Sequence, residues 1–459
     1  MLAPDRLFDP EPSQKSVAME LYAGIKDLPI ISPHGHVDPN IFTDPYRRFG
    51  NPVELLIQPD HYVTRMLFSQ GIPYDQILST DDPLKVWQIF ARNFHIFRAT
   101  PTGVWLEQEL NEIFGIDEKL TGDNAVQIFK TIDSALKEPE FAPRALFEAF
   151  KIKILASTDT ATDELQAHQM IHSCGWKGNI IPTFRPDTVM DICSPTWKEE
   201  INQLSLVSGI EVCDYTSFVR ALEQRREFFK RMGAKAIDIG TINVVTRSLS
   251  ESTVSQLFFR AVKGEASEKD AAAFSAHMLM EMARMCVDDG LVMQLHPGSL
   301  RSHNLDILNR FGPNRGFDIP VAMEFTRSLQ PLLNQFGNHP NFSLILFTLD
   351  ETTYTRELAP LAGVYPSVKL GPPWWFNDSV NGMRRYFDQV METAGIYNTA
   401  GFNDDTRAFP SIPARHDIWR RASVNWLSGL VVRKVIDRND AGFMAKELAI
   451  GLAEKAYKL

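Results

Sequence analysis

The stretch from Leu28 to Pro39, LPIISPHGHVDP, decides the fold. Its apolar start reads as a short strand, and the strand ends in His34-Gly35-His36. Side chains two apart on a strand share a face. His34 and His36 therefore point the same way, with Gly35 removing bulk between them. Two imidazoles on one face can share a borderline metal such as zinc, and a carboxylate from elsewhere can complete the site.

Similar apolar runs recur along the chain. They begin at residue 152 (IKILAST), 179 (NIIPTF), 235 (KAIDIG), 291 (LVMQLH), 342 (FSLILFTL), 367 (SVKLG) and 398 (NTAGFND), making eight with the first. Most are continuously apolar rather than alternating, as expected of parallel strands covered on both faces. Helical patterns lie between them. TSFVRALEQRREFFKRMG has Thr216 or Ser217 to cap its start and Gly233 to end it, and FSAHMLMEMARMCVDDG closes on Gly290. Eight strand-helix units predict an α/β fold, a (β/α)8 TIM barrel spanning residues 1–459 as one domain. An open doubly wound sheet is the alternative, but no GxGxxG or GxxxxGK[ST] follows a strand. Residues 40–150, between the first two runs, carry only helical patterns. They predict a helical insertion over the mouth of the barrel.

In such a barrel the active site lies at the C-terminal ends of the strands. The runs end in polar and ionisable residues: Ser157-Thr158-Asp159, Phe184-Arg185-Pro186-Asp187, Asp238-Ile239-Gly240, Gln294-Leu295-His296, Thr348-Leu349-Asp350, Trp374-Trp375-Phe376 and Asp404-Asp405-Thr406-Arg407. In a closed barrel the eighth strand adjoins the first, so Asp405 is the best-placed carboxylate for His34 and His36. His296 is a further candidate.

The composition narrows the function classes. Apolar residues make up 44% of 459, enough for a large core, and the net charge of -10 argues against nucleic-acid or anionic-membrane surfaces. An anionic substrate would need a locally positive pocket. No run approaches the ~20 apolar residues of a membrane span, and the N-terminal stretch has no signal-peptide core, so a cytoplasmic protein is expected. The four cysteines form no CxxC pair and are expected to be buried free thiols in a reducing compartment.

His-x-His on the first strand with an aspartate on the eighth resembles the amidohydrolase superfamily. The segments DLPIISPHGH, PDHYVTR, FRATPTGVWLEQELNEIFGI, STDTATDELQAHQ, PTFRPD, MQLHPG, WWFNDSVNGM and DDTRAFPSIPARHDIWRR resemble one branch of it, the uronate isomerases, in order and over nearly the whole chain. The resemblance implies an aldose–ketose isomerisation: D-glucuronate to D-fructuronate, or D-galacturonate to D-tagaturonate, by proton transfer between C2 and C1. It implies one divalent ion, zinc by preference, on His34, His36 and Asp405. It assigns Arg185 and Arg407 to the substrate, Asp405, Tyr62 and Arg407 to catalysis, and His61, His296, Trp374 and Trp375 to the pocket. The partner is a small hexuronate, with a homo-oligomer allowed. His168 and His416 would at most support the site.

The chain departs from the family pattern in places. In the family pattern Asp-His-Gly is usual where this chain has Asp238-Ile239-Gly240, and Trp is common where it has Phe184; Pro297 stands where isoleucine is usual. The isoleucine would remove a substrate-binding histidine. The alternative reading is a metal-dependent hydrolase of the same superfamily, acting on a sugar acid or related carboxylate. A binuclear hydrolase would want a bridging lysine or glutamate on the fourth strand and a histidine on the sixth, and neither is present.

Overall fold

The computed structural model describes residues 2–459. Eleven strands form, all short. β1 (Ile30–Ser32), β2 (Ile152–Ala156) and β4 (Ile180–Ile181) make a parallel sheet in the order β1-β2-β4. β3 (Asp159–Thr160) and β5 (Phe184–Arg185) continue the β2 and β4 segments after two-residue breaks. They join β6 (Ala236–Thr241), β7 (Val292–Pro297), β10 (Leu344–Leu346) and β11 (Val368–Leu370) in the parallel order β11-β10-β7-β6-β5-β3. Helices cover these sheets, so the fold is mixed α/β with parallel sheets.

Two expectations about strands need correction. The run NTAGFND forms no strand, only a single parallel bridge from Thr399 to Leu370, with Ala400 N–H donating to Leu370 O at 2.8 Å. Its Gly401 at φ 72° breaks the extended backbone. Conversely, β8 (Ser299–Leu300) and β9 (Ile319–Pro320) pair as a two-stranded antiparallel ribbon that no apolar run announced. The end of the last run nonetheless reaches β1, because His36 N–H donates to Thr406 O at 2.9 Å.

The strands alternate faces. Ile237, Ile239, Met293, Leu295, Leu344, Leu346 and Phe184 pack into the large apolar core shared with the helices. Ala236, Val292, Ile345 and Phe347 point to the other side, against Trp374, Ala400 and Tyr457. Asp238 and His296 lie in phase with that inner set. Ile239, 1% exposed, therefore faces the helix layer, as does Phe184. The expectation that Ile239 removes a pocket histidine is corrected by this alternation, since a side chain at 239 does not reach the inner face.

Between β1 and β2 there are helices and no strand. Prolines open several of them: Pro52–Leu56, Pro83–Arg92, Pro101–Glu112 and Pro143–Ala149. Proline suits a first helical turn, whose N–H groups have no intrahelical partner. Asn51, Asp82 and Thr100 cap the first three. These helices hold their own apolar cluster around Trp87, Phe90 and Phe97. In the helix Tyr215–Arg231 the cap is Asp214, in a reciprocal box with Ser217, rather than the expected Thr216 or Ser217. All four cysteines are free, but Cys174, Cys193 and Cys213 are exposed and only Cys286 is buried, which corrects that expectation too. Among the described residues no helix is long and apolar enough to cross a membrane.

Candidate active site

A cavity of about 970 Å³ opens where the strands end. His34 follows β1 and is almost wholly buried, while His36 is partly open to the cavity. The two rings stand edge to face at 5.3 Å. Asp405 comes to meet them with a left-handed backbone, φ 44°. Aspartate tolerates that region better than most residues, and such strain collects at functional sites. Its Oδ1 lies 3.3 Å from His34 Nε2 and 3.1 Å from His36 Nε2. Asp405 Oδ1 is nonetheless buried without a hydrogen-bond partner. Its Oδ2 accepts a hydrogen bond from Trp374 Nε1.

Three donor atoms converging without hydrogen bonds fit a metal. Zinc bonds to nitrogen and oxygen run about 2.0–2.1 Å, so the edge of a tetrahedron of such ligands is about 3.3 Å. The two observed histidine–aspartate spacings match that edge. Protonation agrees. Burial raises the Asp405 carboxyl, but His34 and His36 outweigh it and hold it well below the usual carboxylate range. Burial lowers His36 to about 4 against the opposing pull of Asp405, so its ring is neutral and offers a lone pair.

A second group shares His34. His34, Asp238 and His296 also bring one donor atom each within 4.8 Å of one another. His296 is stacked between His34 at 4.6 Å and Phe347 at 4.0 Å. Its Nδ1 meets Asp238 Oδ1, yet both atoms lack hydrogen-bond partners. Two residue groups in this cavity could thus hold a divalent metal.

Cations line the same cavity. Arg185 is pinned from Nε to Asp187 at 2.8 Å and from Nη1 to Asp238 at 3.1 Å. Gly240 makes room for it, since a methyl group there would sit 2.7 Å from Arg185 Nη2. Arg301 pairs with Asp318 at 3.0 Å. Among the described residues Arg407 has neither an ion pair nor a side-chain hydrogen bond, which leaves a free guanidinium facing the cavity. Burial and the nearby Arg407 lower His61 to about 3, so it is neutral. Burial pushes the Tyr62 hydroxyl up, against the opposing charge of Arg415, so the phenol keeps its proton.

The structure gathers His34, His36, Asp405, Arg185, Arg407, His61, Tyr62, His296, Trp374 and Trp375 around one cavity. Trp374 is 5% exposed and spends its N–H on Asp405, so it holds the carboxylate more than it faces the cavity. His416 Nε2–H donates to Asp404 Oδ2 at 3.1 Å, and Asp404 directly precedes Asp405. His168 lies beside Ser157 at 2.9 Å in the cavity wall. Among the lining residues, sequence reasoning missed Arg301, which follows the ribbon strand β8 rather than one of the apolar runs, and Arg415, which sits within a helix; Asp238 was legible only as a polar strand end.

Fold and cavity define the class: an α/β enzyme whose charged groups gather at the C-terminal ends of parallel strands. The glucuronate isomerase family model matches residues 13–455, and the chain belongs to that family. The chain is 51% identical over 466 residues to the uronate isomerase of Nostoc punctiforme, covering 100% of this chain and 98% of that one. Its structure matches the crystal structure of glucuronate isomerase from Caulobacter crescentus with a TM-score of 0.98 and 46% identity, over 100% and 97% of the two chains. The uronate isomerase of Thermotoga maritima matches at a TM-score of 0.94 and 26% identity, over 100% and 99%. The chain is therefore a uronate isomerase, an aldose–ketose isomerase, and the hydrolase alternative is set aside.

Proposed function

We propose that this enzyme interconverts D-glucuronate and D-fructuronate, and D-galacturonate and D-tagaturonate, within a closed (β/α)8 barrel. In this reading residues 40–150 are a helical insertion over the barrel mouth. The bridge at Thr399 and the bond from His36 to Thr406 O support closure between the last strand position and the first. The observation that carries the site assignment is the convergence of His34, His36 and Asp405 in a cavity that also holds the free cation Arg407.

His34, His36 and Asp405 would hold one divalent ion, zinc by the chemistry of the set, and when bound it supplies Lewis-acid polarisation of the C1 and C2 oxygens. Arg407 forms a charge-assisted pair with the substrate carboxylate, and Arg185 adds positive charge while its own aspartates fix it. The reaction removes the C2 proton and returns one to C1, while O1 gains and O2 loses a proton. Asp405 stays ionised and serves as the base at carbon. Tyr62 stays a phenol and has no partner for its hydroxyl among the described residues, so it donates to O1 and recovers the proton from O2. His61, His296 and Trp375 line the sugar.

The test combines metal analysis with turnover in D2O. The parent should hold one ion per chain, give ketose with deuterium at C1 and wash deuterium into C2 of the recovered uronate, and His36→Ala should lose both the ion and the exchange. Full metal content in a His34→Ala/His36→Ala protein would overturn the metal assignment. Tyr62→Phe should bind uronate but exchange slowly, and exchange at the parent rate would remove Tyr62 from the chemistry.

A further inference from the structure

Arg415 lies in the helix Ser411–Val432 and is only 1% exposed. A guanidinium that deep is costly to desolvate, and apolar residues of its size usually serve a core as well or better. What it touches is specific. Its Nη1 donates to Asp378 Oδ2 at 3.0 Å and to the carbonyl of Asp404 at 3.1 Å. Asp404 directly precedes Asp405. Its guanidinium carbon lies over the Trp105 ring, 3.7 Å from the ring centre, and over that of Tyr62 at 5.3 Å. Tyr62 and Trp105 meet edge to face at 5.4 Å. Arg415 also lines the cavity, as does Asp60, the residue that caps the helix bearing Tyr62.

One buried cation thus joins pieces distant in sequence: the Tyr62 helix, the Trp105 helix, the Asp378 turn and the backbone that presents Asp405. We infer that Arg415 is a positioning residue, whose planar guanidinium sets the Tyr62 hydroxyl against the Asp405 site. This rests on the role proposed above for Tyr62. The argument is geometric. The cation–π stack fixes the plane of the aromatic pair, and the bond to Asp404 O fixes the same plane against the strand-end backbone. A point charge or an apolar chain could fill the volume but could not do both.

A double-mutant cycle separates this from plain packing. The four proteins are the parent, Tyr62→Phe, Arg415→Met and the double variant, assayed with D-glucuronate, with metal content and circular dichroism checked for each. Arg415→Met should lower kcat about 100-fold while KM stays within about threefold, and in the Tyr62→Phe background it should lower kcat no more than about threefold further. Arg415→Lys, which keeps charge without the fork, should recover little of the loss. If Arg415→Met does not fold, Trp105→Leu removes the other face of the same stack and should show the same non-additivity with Tyr62→Phe. Fully additive losses would overturn the role of Arg415 while leaving that of Tyr62 standing. A Tyr62→Phe protein with parental kcat would overturn both.

Discussion

Trp374→Phe offers a direct measure of how the carboxylate of the proposed metal site is held. The Trp374 N–H donates to Asp405 Oδ2, while Oδ1 faces His34 and His36. Phenylalanine keeps an aromatic ring beside His296 and Phe347 but removes the donor. Losing a hydrogen bond to a charged, buried group costs about 1.5–3 kcal/mol. At 1.36 kcal/mol per tenfold, that is about 10- to 150-fold in any equilibrium that needs Asp405 in place. The range agrees with the 10- to 100-fold typical of losing an outer partner of a metal ligand. The expected result is a drop of that size in zinc affinity, read by competition with a chromogenic chelator, with a parallel fall in kcat/KM. Trp419→Phe is the control. Trp419 is also buried and donates from Nε1, but to Leu448 O at 2.8 Å, with its ring outside the cavity lining. It should lose stability without losing zinc. Zinc affinity of Trp374→Phe within threefold of the parent would refute the view that this hydrogen bond orients Asp405.

Three further outcomes follow from the same geometry. Arg407→Met should lower kcat/KM for both uronates by about 10- to 100-fold with the melting temperature unchanged, because the guanidinium has no protein partner to lose; steady-state kinetics and calorimetry check the two halves. Burial raises Asp159 to about 7 despite its bond from Ser157, so the folded protein binds a proton that the unfolded chain releases near pH 4. Its contribution is therefore most favourable below pH 4 and is lost as pH rises through 7, by an amount on the order of 4 kcal/mol; Asp159→Asn should stabilise the protein at pH 8 and have little effect at pH 4 by urea denaturation. Ile239→His should destabilise the fold by about 1–3 kcal/mol without raising activity, because that side chain enters an apolar core; a more active and equally stable variant would contradict the alternation seen in β6.

The sequence by itself determined what depends on near neighbours along the chain. The His34-Gly35-His36 triplet at the end of an apolar run, and the charged ends of the later runs, follow from a period of two and from the turn that ends each strand. Their common cavity follows from the parallel order of those strands. Only the tertiary structure decided which strand face looks inward, because a run that is apolar on both faces carries no alternation to read. That is why Ile239 looked like a loss to the pocket and is a core residue. It also decided that the last run is held by one bridge, since Gly401 and the strained Asp405 take the backbone out of extension. The partners of Asp405 and Tyr62 were out of reach for a different reason. Trp374, Trp105 and Arg415 lie 31, 300 and 10 residues from Asp405 along the chain. Contacts at such separations are set by how helices and loops pack over the strand ends, which no local pattern encodes.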